Sequence, residues 1–372
     1  MRYKDANECL MAGVSAEAMM RCLEQARDFA PDKVKNAGEF EDDLVDEWLN
    51  QHLETGLQLP FNFPFSIRPA ELTVWTGIEK SGKTTLLGFC LMALMAQGER
   101  AMVCSFETRA RKTLKKYSRQ ASGMLLYSQK YVEKCQTTEE LNNYRASAEE
   151  NIRRTSRWLS QNLWLYDHTG IAQWRLLIDD IRWARRRHGI TQFIIDNFMR
   201  LGFMKDDYTQ QAECVTAFSA LAMELGVHIH LVVHQNKSEG KKGQVQGKRS
   251  VSGAFEIVAN AHNIVEVTRD VVKGEKVSEI FEREKAGEIT AAQREEAMVE
   301  WNRKPDGKFI LHAQREGEQQ NASKFLWFLW EPQQYVSQPE GHGEHCPTAF
   351  VDKHAAAARL VFNGELPTSE PI

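Results

Sequence analysis

The stretch Gly77-Ile78-Glu79-Lys80-Ser81-Gly82-Lys83-Thr84-Thr85 fits the pattern G-x-x-x-x-G-K-[ST], and its flanks have the character that pattern needs. Before it, Glu71-Leu72-Thr73-Val74-Trp75-Thr76 reads as a strand; after it, Thr85 to Met95 reads as a buried helix. Glycines let such a loop curl with its N–H groups facing inward, and the helix start adds a partial positive charge. Lys83 then reaches the β- and γ-phosphates, and the Thr84 hydroxyl can hold Mg²⁺. The expectation is an NTP site, with ATP or another NTP bound together with Mg²⁺ across residues 77–85.

Outward from this loop, the chain of 372 residues is 42% hydrophobic, enough for one large domain or two. Its longest apolar runs are too short to span a bilayer, and Met1-Arg2-Tyr3-Lys4-Asp5 lacks the apolar core of a signal peptide, so a cytoplasmic protein without membrane contact is expected. Seven scattered cysteines without a C-x-x-C pair indicate neither a disulfide framework nor a zinc ribbon. A formal charge of -4 does not advertise nucleic-acid binding, but a channel can be basic where the outside is acidic.

Residues 1–58 read as a helical, polar arm, with Pro60, Pro64 and Pro69 marking an extended entry into the main domain. Ala101 to Phe106 is a strand ending in Glu107, where a parallel sheet presents catalytic groups; a Glu favoured by the start of the following helix is the plainer alternative. Gln192-Phe193-Ile194-Ile195-Asp196 has the form of a Walker B strand, with Asp196 a carboxylate for Mg²⁺. Asp179 and Asp180 compete for that role but lie within a helical pattern. The run Arg185-Arg186-Arg187-His188 before Gly189 is better read as a solvated helix C-terminus than as a phosphate contact. Val227 to Val233 is a further core strand ending in His234-Gln235, either a γ-phosphate sensor or a strand-end pair bonded to backbone.

The loop 237–252 carries Lys237, Lys241, Lys242, Lys248 and Arg249 against Glu239, with three glycines between them. Such a loop can track phosphates without reading sequence, or simply lie on the surface. Lys276 to Trp301 is charged and largely helical, and residues 307–317 and 324–330 form a hairpin with Arg315 at its turn. The tail 337–372 contains His342, His345 and Cys346, read as surface residues.

Taken in order, Gly77–Thr84, Glu107, Asp196, His234, Ser252-Gly253-Ala254 and Gln314-Arg315-Glu316-Gly317 resemble the RecA-fold replicative helicases of the DnaB and Twinkle kind, and phage primase–helicases in particular. The resemblance spans roughly residues 40–335. Lys4 to Leu10 also resembles the last piece of a Toprim primase domain, which implies the helicase part of such a protein with its linker. The implied fold is α/β: a RecA-like P-loop NTPase over 59–336 with a mostly parallel sheet flanked by helices. The helical arm, 1–58, precedes it and the tail, 337–372, follows. The implied roles are Lys83 and Thr84 on phosphates and Mg²⁺, Glu107 polarising the attacking water, and Asp196 on the metal. His234 or Gln235 senses the γ-phosphate, Arg269 lies near the base, and Arg315 is a finger supplied in trans. Loop 237–252 grips single-stranded DNA in the channel of a ring. The implied partners are single-stranded and forked DNA, copies of the chain in a hexamer, a primase and a replicative polymerase. The chain departs from the family at Ala313, where relatives carry Lys and Lys308 is the candidate substitute, and at His262, where they carry an acid. A RecA-like recombinase or clamp, and a nucleotide-switched loader without turnover, are the alternatives; Glu107 with Arg315 favours turnover.

Overall fold

The computed structural model describes residues 6–24, 35–49, 56–63, 65–204, 207–234, 260–315, 321–338 and 348–352. The chain divides into two compact units, Met1–Glu54 and Thr55–Ile372. In the first, three short helices are described: α1 (Ala6–Met11), α2 (Ala16–Glu24) and α3 (Glu41–Leu49). Ahead of α3, Asn36 and Glu39 form a reciprocal capping box on a turn of 3₁₀ helix.

The second unit opens with a two-stranded antiparallel ribbon, β1 (Leu57–Gln58) and β2 (Ser66–Ile67). Its main chain then alternates strand and helix: β3 (Leu72–Thr76), α4 (Lys83–Ala96), β4 (Ala101–Ser105), α5 (Ala110–Ser122), α6 (Gln129–Val132), α7 (Thr138–Asn162) and β5 (Leu163–Tyr166). After these come α8 (Trp174–His188), β6 (Gln192–Asp196), α9 (Tyr208–Leu225), β7 (His228–Val232) and β8 (Asn263–Arg269). The helices α10 (Val271–Lys285) and α11 (Ala291–Arg303) precede β9 (Gly307–Gln314), β10 (Ala322–Leu329) and β11 (Gln334–Val336). Asp179 and Asp180 lie inside α8. The segment 276–301 is two helices rather than one, because Thr290 and Gln293 form a capping box that starts α11 afresh.

Nine strands form one sheet in the order β11-β10-β9-β8-β3-β7-β6-β4-β5. From β8 to β5 every pairing is parallel, while β9, β10 and β11 are added antiparallel. Alternate side chains serve two cores, as strands covered on both faces require. Trp75, Val103, Ile194 and Val232 pack with α4; Val74, Cys104, Ile195 and Leu231 pack with α8 and α9. Apolar on every side, α4 is buried from Leu86 to Ala96. A side chain at Gly88 would run into the ring of Tyr117 and Gln120 of α5, so glycine there sets how closely the two helices approach.

A buried polar chain runs under the start of the central strands. Asn263 Nδ2 donates to Glu71 Oε2 at 2.8 Å and to Thr73 Oγ1 at 3.2 Å. His228 Nδ1 lies 2.6 Å from the Arg68 carbonyl, which only accepts, so Nδ1 carries the proton and Nε2 accepts from the Thr73 hydroxyl at 2.8 Å. Trp75 Nε1 donates to His230 Nδ1 at 3.2 Å, leaving His230 Nε2 to donate to Gln192 Oε1 at 3.1 Å. Both rings are therefore held neutral. Burial pushes His228 down to about 4 and His230 well below its ordinary value. A histidine with a lowered folded pKa contributes stability in full above its unfolded pKa, and that stability is lost as pH falls from there toward the folded value. Between pH 7 and 5 the unfolding free energy in urea is therefore expected to drop by about 2 kcal/mol per ring. A flat profile over that range would show that the rings are not held neutral by the fold.

Candidate active site

Every side chain of the site stands at the carboxyl edge of the parallel strands, and the phosphate loop is the turn from β3 into α4. Gly77 has φ +147°, Lys80 +63° and Gly82 +97°, and Ser81 N–H donates to the Ile78 carbonyl at 3.2 Å. A side chain at Gly77 would collide with the Val267 carbonyl, and one at Gly82 with the Tyr335 hydroxyl. The loop is thus closed around bare backbone, the shape that aims N–H groups at an anion. Lys83, 3% exposed, donates its Nζ to the carbonyls of Gly77 at 2.8 Å and Ile78 at 2.7 Å. Burial pushes its amine down to about 8, against the pull of Asp196, Glu79 and Glu107.

Thr84 Oγ1 donates to Asp196 Oδ2 at 2.9 Å, joining the first turn of α4 to the end of β6. Burial raises the Asp196 carboxyl, with Glu107 adding to the rise, while the Thr84 bond, Lys116 and Lys83 oppose it. Glu107 follows β4, and the Phe106 N–H donates to the Asp196 carbonyl at 2.8 Å. The Glu107 side chain does not cap α5; its Oε1 accepts from Asn197 Nδ2 at 3.1 Å and pairs with Arg200 Nε at 3.5 Å. His234, just past β7, is half-buried, and burial together with Lys83 lowers its pKa below the ordinary value, so its ring is neutral near pH 7. Its Nδ1 is buried with no hydrogen-bond partner among the described residues, and the same holds for Ser81 Oγ and Thr76 Oγ1 in and beside the loop.

These orphaned polar atoms, the bare cradle and the hydroxyl–carboxylate pair fit a polyphosphate with Mg²⁺. Thr84 and Asp196 would hold the metal, and Lys83, Ser81 and the loop amides the phosphates. A cleft of about 230 Å³ continues the loop along β8 and β10, lined by Lys80, Gly82, Arg269, Phe328, Trp330 and Tyr335. The three aromatic rings form a connected wall, Phe328 lying 4.9 Å from Tyr335 and 5.1 Å from Trp330 between centroids. Arg269, at the end of β8, faces both this cleft and the groove beside α10.

Arg315 is elsewhere. In the antiparallel pairing of β8 with β9, Arg269 is opposite Gly307 and Asn263 is opposite Gln314, so Arg315 lies beyond the amino end of β8. Seven strand residues, about 20 Å, separate it from the phosphate-loop edge. Lys308 is opposite Thr268 at the nucleotide end, its Nζ 4.5 Å from the Phe325 ring centroid, so it does not stand beside Arg315 and cannot substitute for a lysine at 313. His262 accepts the Leu72 N–H at its Nδ1, 3.1 Å away, a strand-edge bond rather than a part of the site. The run 185–188 closes α8 against the Gly189 cap. Gln235, Lys237, Lys241, Lys242, Lys248, Arg249, Ser252-Gly253-Ala254, and the tail residues His342, His345 and Cys346 lie outside the described residues.

Sequence reasoning missed Asn197, Arg200, Lys116 and the aromatic wall. Lys116, on α5, lies within electrostatic reach of Asp196, and burial pushes it down to about 8. Asn197 and Arg200 are legible only as polar residues just after the Asp196 strand. The aromatics are spaced over two strands, so no linear pattern marks them. Trp330 is 70% exposed and can be removed without opening the core. Trp330→Ala is expected to weaken binding of a fluorescent ATP analogue about 5- to 30-fold, the loss of one aromatic contact of about 1–2 kcal/mol. Tripolyphosphate competition should be unchanged, since only the base side is altered; equal losses for both would remove the base-wall assignment.

No family model and no curated protein sequence matches the chain. Among solved structures, the ATPase domain of a phage protein matches at a TM-score of 0.61 and 14% identity, over 81% of this chain and 99% of that one. A DnaB-like replicative helicase, solved in a study of its interactions with primase, matches at 0.60 and 14% identity, over 90% of this chain and 72% of that one. The RecA-type α/β fold of DnaB-like helicase ATPase domains is the fold of this chain.

Proposed function

We propose that the protein is an NTP-driven helicase that assembles as a ring, translocates on single-stranded DNA and unwinds forked duplex. The observation that carries this reading is the division of the site: the phosphate loop, Asp196 and Glu107 share one edge of the sheet, while Arg315 lies at the other. An arginine about 20 Å from its own phosphate loop acts on nucleotide only when a second copy brings it, and this gives hydrolysis in one subunit a mechanical consequence in the next. A recombinase or clamp, or a loader that uses nucleotide as a switch, would share the loop but would not displace a strand.

In this reading Lys83, Ser81 and the loop amides bind the triphosphate, and the wall of Phe328, Trp330 and Tyr335 with Arg269 receives the base. Mg²⁺ on Thr84 and Asp196 neutralises charge on the phosphates. Glu107 accepts a proton from the attacking water, and His234, neutral and with Nδ1 directed into the site, detects the γ-phosphate alone or with Gln235. Arg315 of a neighbouring copy stabilises the charge that develops on the transferred group. Lys237, Lys241, Lys242, Lys248 and Arg249 hold the phosphates of single-stranded DNA. A hexamer, a primase and a replicative polymerase complete the assembly, consistent with a cytoplasmic setting; no helix among the described residues is long and apolar enough to cross a membrane.

Strand displacement on a forked substrate tests the proposal. The wild type is expected to displace the strand with ATP and Mg²⁺, and Lys83→Ala to lose both hydrolysis and displacement. DNA-stimulated hydrolysis without displacement would overturn the helicase reading in favour of a recombinase or clamp, and nucleotide binding without turnover would favour a loader. Arg315→Ala should keep nucleotide affinity within about 2-fold yet lose at least about 100-fold in turnover, the scale of an arginine supplied in trans. Mixing Arg315→Ala with Lys83→Ala should restore part of the hydrolysis, because a mixed interface pairs an intact loop with an intact finger. No recovery on mixing would place the arginine outside the neighbouring site.

A further inference from the structure

Glu107 is held by two donors from one segment. Asn197 Nδ2 lies 3.1 Å and Arg200 Nε 3.5 Å from the same oxygen, Oε1, so the carboxylate plane is set and Oε2 is the oxygen left to receive a proton. The segment that supplies them is itself anchored. Asn197 Oδ1 accepts the Met199 N–H at 2.9 Å, the Arg200 N–H donates to the Asn197 carbonyl at 3.0 Å, and the Ala172 N–H donates to the Arg200 carbonyl at 2.8 Å. Phe198 and Leu201 are fully buried on either side. The Arg200 and Glu107 side chains are 48% and 45% exposed, so their pairing is not a core requirement. An exposed ion pair adds little stability, and a fork of donors on a half-exposed carboxylate is better explained by what it does to that carboxylate's direction.

We infer that Arg200 is a positioning residue for the reaction: it orients Glu107 so that Oε2 faces the phosphate loop, and it ties that orientation to the stretch running from Asp196 toward α9. The inference rests on the reading of Glu107 as the proton acceptor. Because Arg200 is carried by backbone continuous with the metal-binding Asp196, a shift of residues 200–204 reaches Glu107 through one guanidinium. This gives the chain a direct route from the loop after β6 to the hydrolytic step, separate from His234 on β7.

The test is steady-state ATP hydrolysis by the full chain with oligo-dT, together with nucleotide affinity and thermal unfolding. Arg200→Ala is expected to lower kcat about 10- to 100-fold with KM and nucleotide affinity within about 2-fold, the pattern of a group that acts only in the transition state. Arg200→Lys, which keeps a cation at that reach, should recover to within about 5-fold of wild type. In a Glu107→Gln background, Arg200→Ala should cause no further loss. Wild-type kcat in Arg200→Ala would overturn the inference, as would a rise in KM at constant kcat, an equal loss in Arg200→Lys, or full additivity with Glu107→Gln. Glu107→Gln alone separates the two layers: if it hydrolyses ATP like wild type, the proton-acceptor reading fails, whereas an inactive Glu107→Gln beside a fully active Arg200→Ala refutes only the role of Arg200.

Discussion

The bond from Thr84 Oγ1 to Asp196 Oδ2, 2.9 Å long between residues 112 apart in sequence, is the constraint on which the site depends. It can form only if β3 and β6 end at the same level, with β7 between them, and if α4 begins at once after the phosphate loop. Parallel pairing in register along β3, β7 and β6 provides the first condition. Gly82 provides the second, turning the chain at φ +97° where a side chain would strike Tyr335. The same level brings Glu107 and His234 to the edge, because β4 and β7 flank β6 in that register. A sheet of this kind places its chemistry where the carboxyl ends meet.

Much of this arrangement was legible in the chain. The phosphate loop carries its own physics in its residue types, and the runs Leu72–Thr76, Ala101–Ser105, Gln192–Asp196 and His228–Val232 are apolar enough to announce strands covered on both faces. The break at Gly189 separates Asp196 on a strand from Asp179 and Asp180 on a helix. What could not be read was lateral. Asn197 and Arg200 matter because a turn returns them to a glutamate 90 positions earlier, and Phe328, Trp330 and Tyr335 because two antiparallel strands lay them beside Gly82. Lys308 shows the opposite failure. Its distance in sequence from Arg315 is small, but a strand separates its ends by its full length, so nearness along β9 means remoteness in space.

Electrostatics gives the site a tension that phosphate would relieve. Lys83 is buried and lowered to about 8, Asp196 is buried and raised, and Lys116 is lowered to about 8. Each group is held away from its ordinary charge state by desolvation, and each partly restores another by Coulomb attraction. The pattern of perturbed cations and a perturbed carboxylate converging on one edge is unlike a structural ion pair, where both partners are stabilised as charges.

The two polar systems of the sheet divide its labour. At the amino edge, Asn263, Thr73, His228, His230 and Gln192 form bonds whose donors and acceptors match, so that edge is satisfied and rigid. At the carboxyl edge, Thr76, Ser81 and His234 keep buried polar atoms without partners among the described residues. Leaving such an atom unpaired costs about 1–3 kcal/mol, so the fold carries a penalty at one end that a bound triphosphate can remove. The matched amino edge makes that tolerable, since it fixes the strand registers that the unmatched edge needs. A protein that stored the same polar atoms on loops would lose them to solvent; held on strand ends, they stay aimed at the substrate.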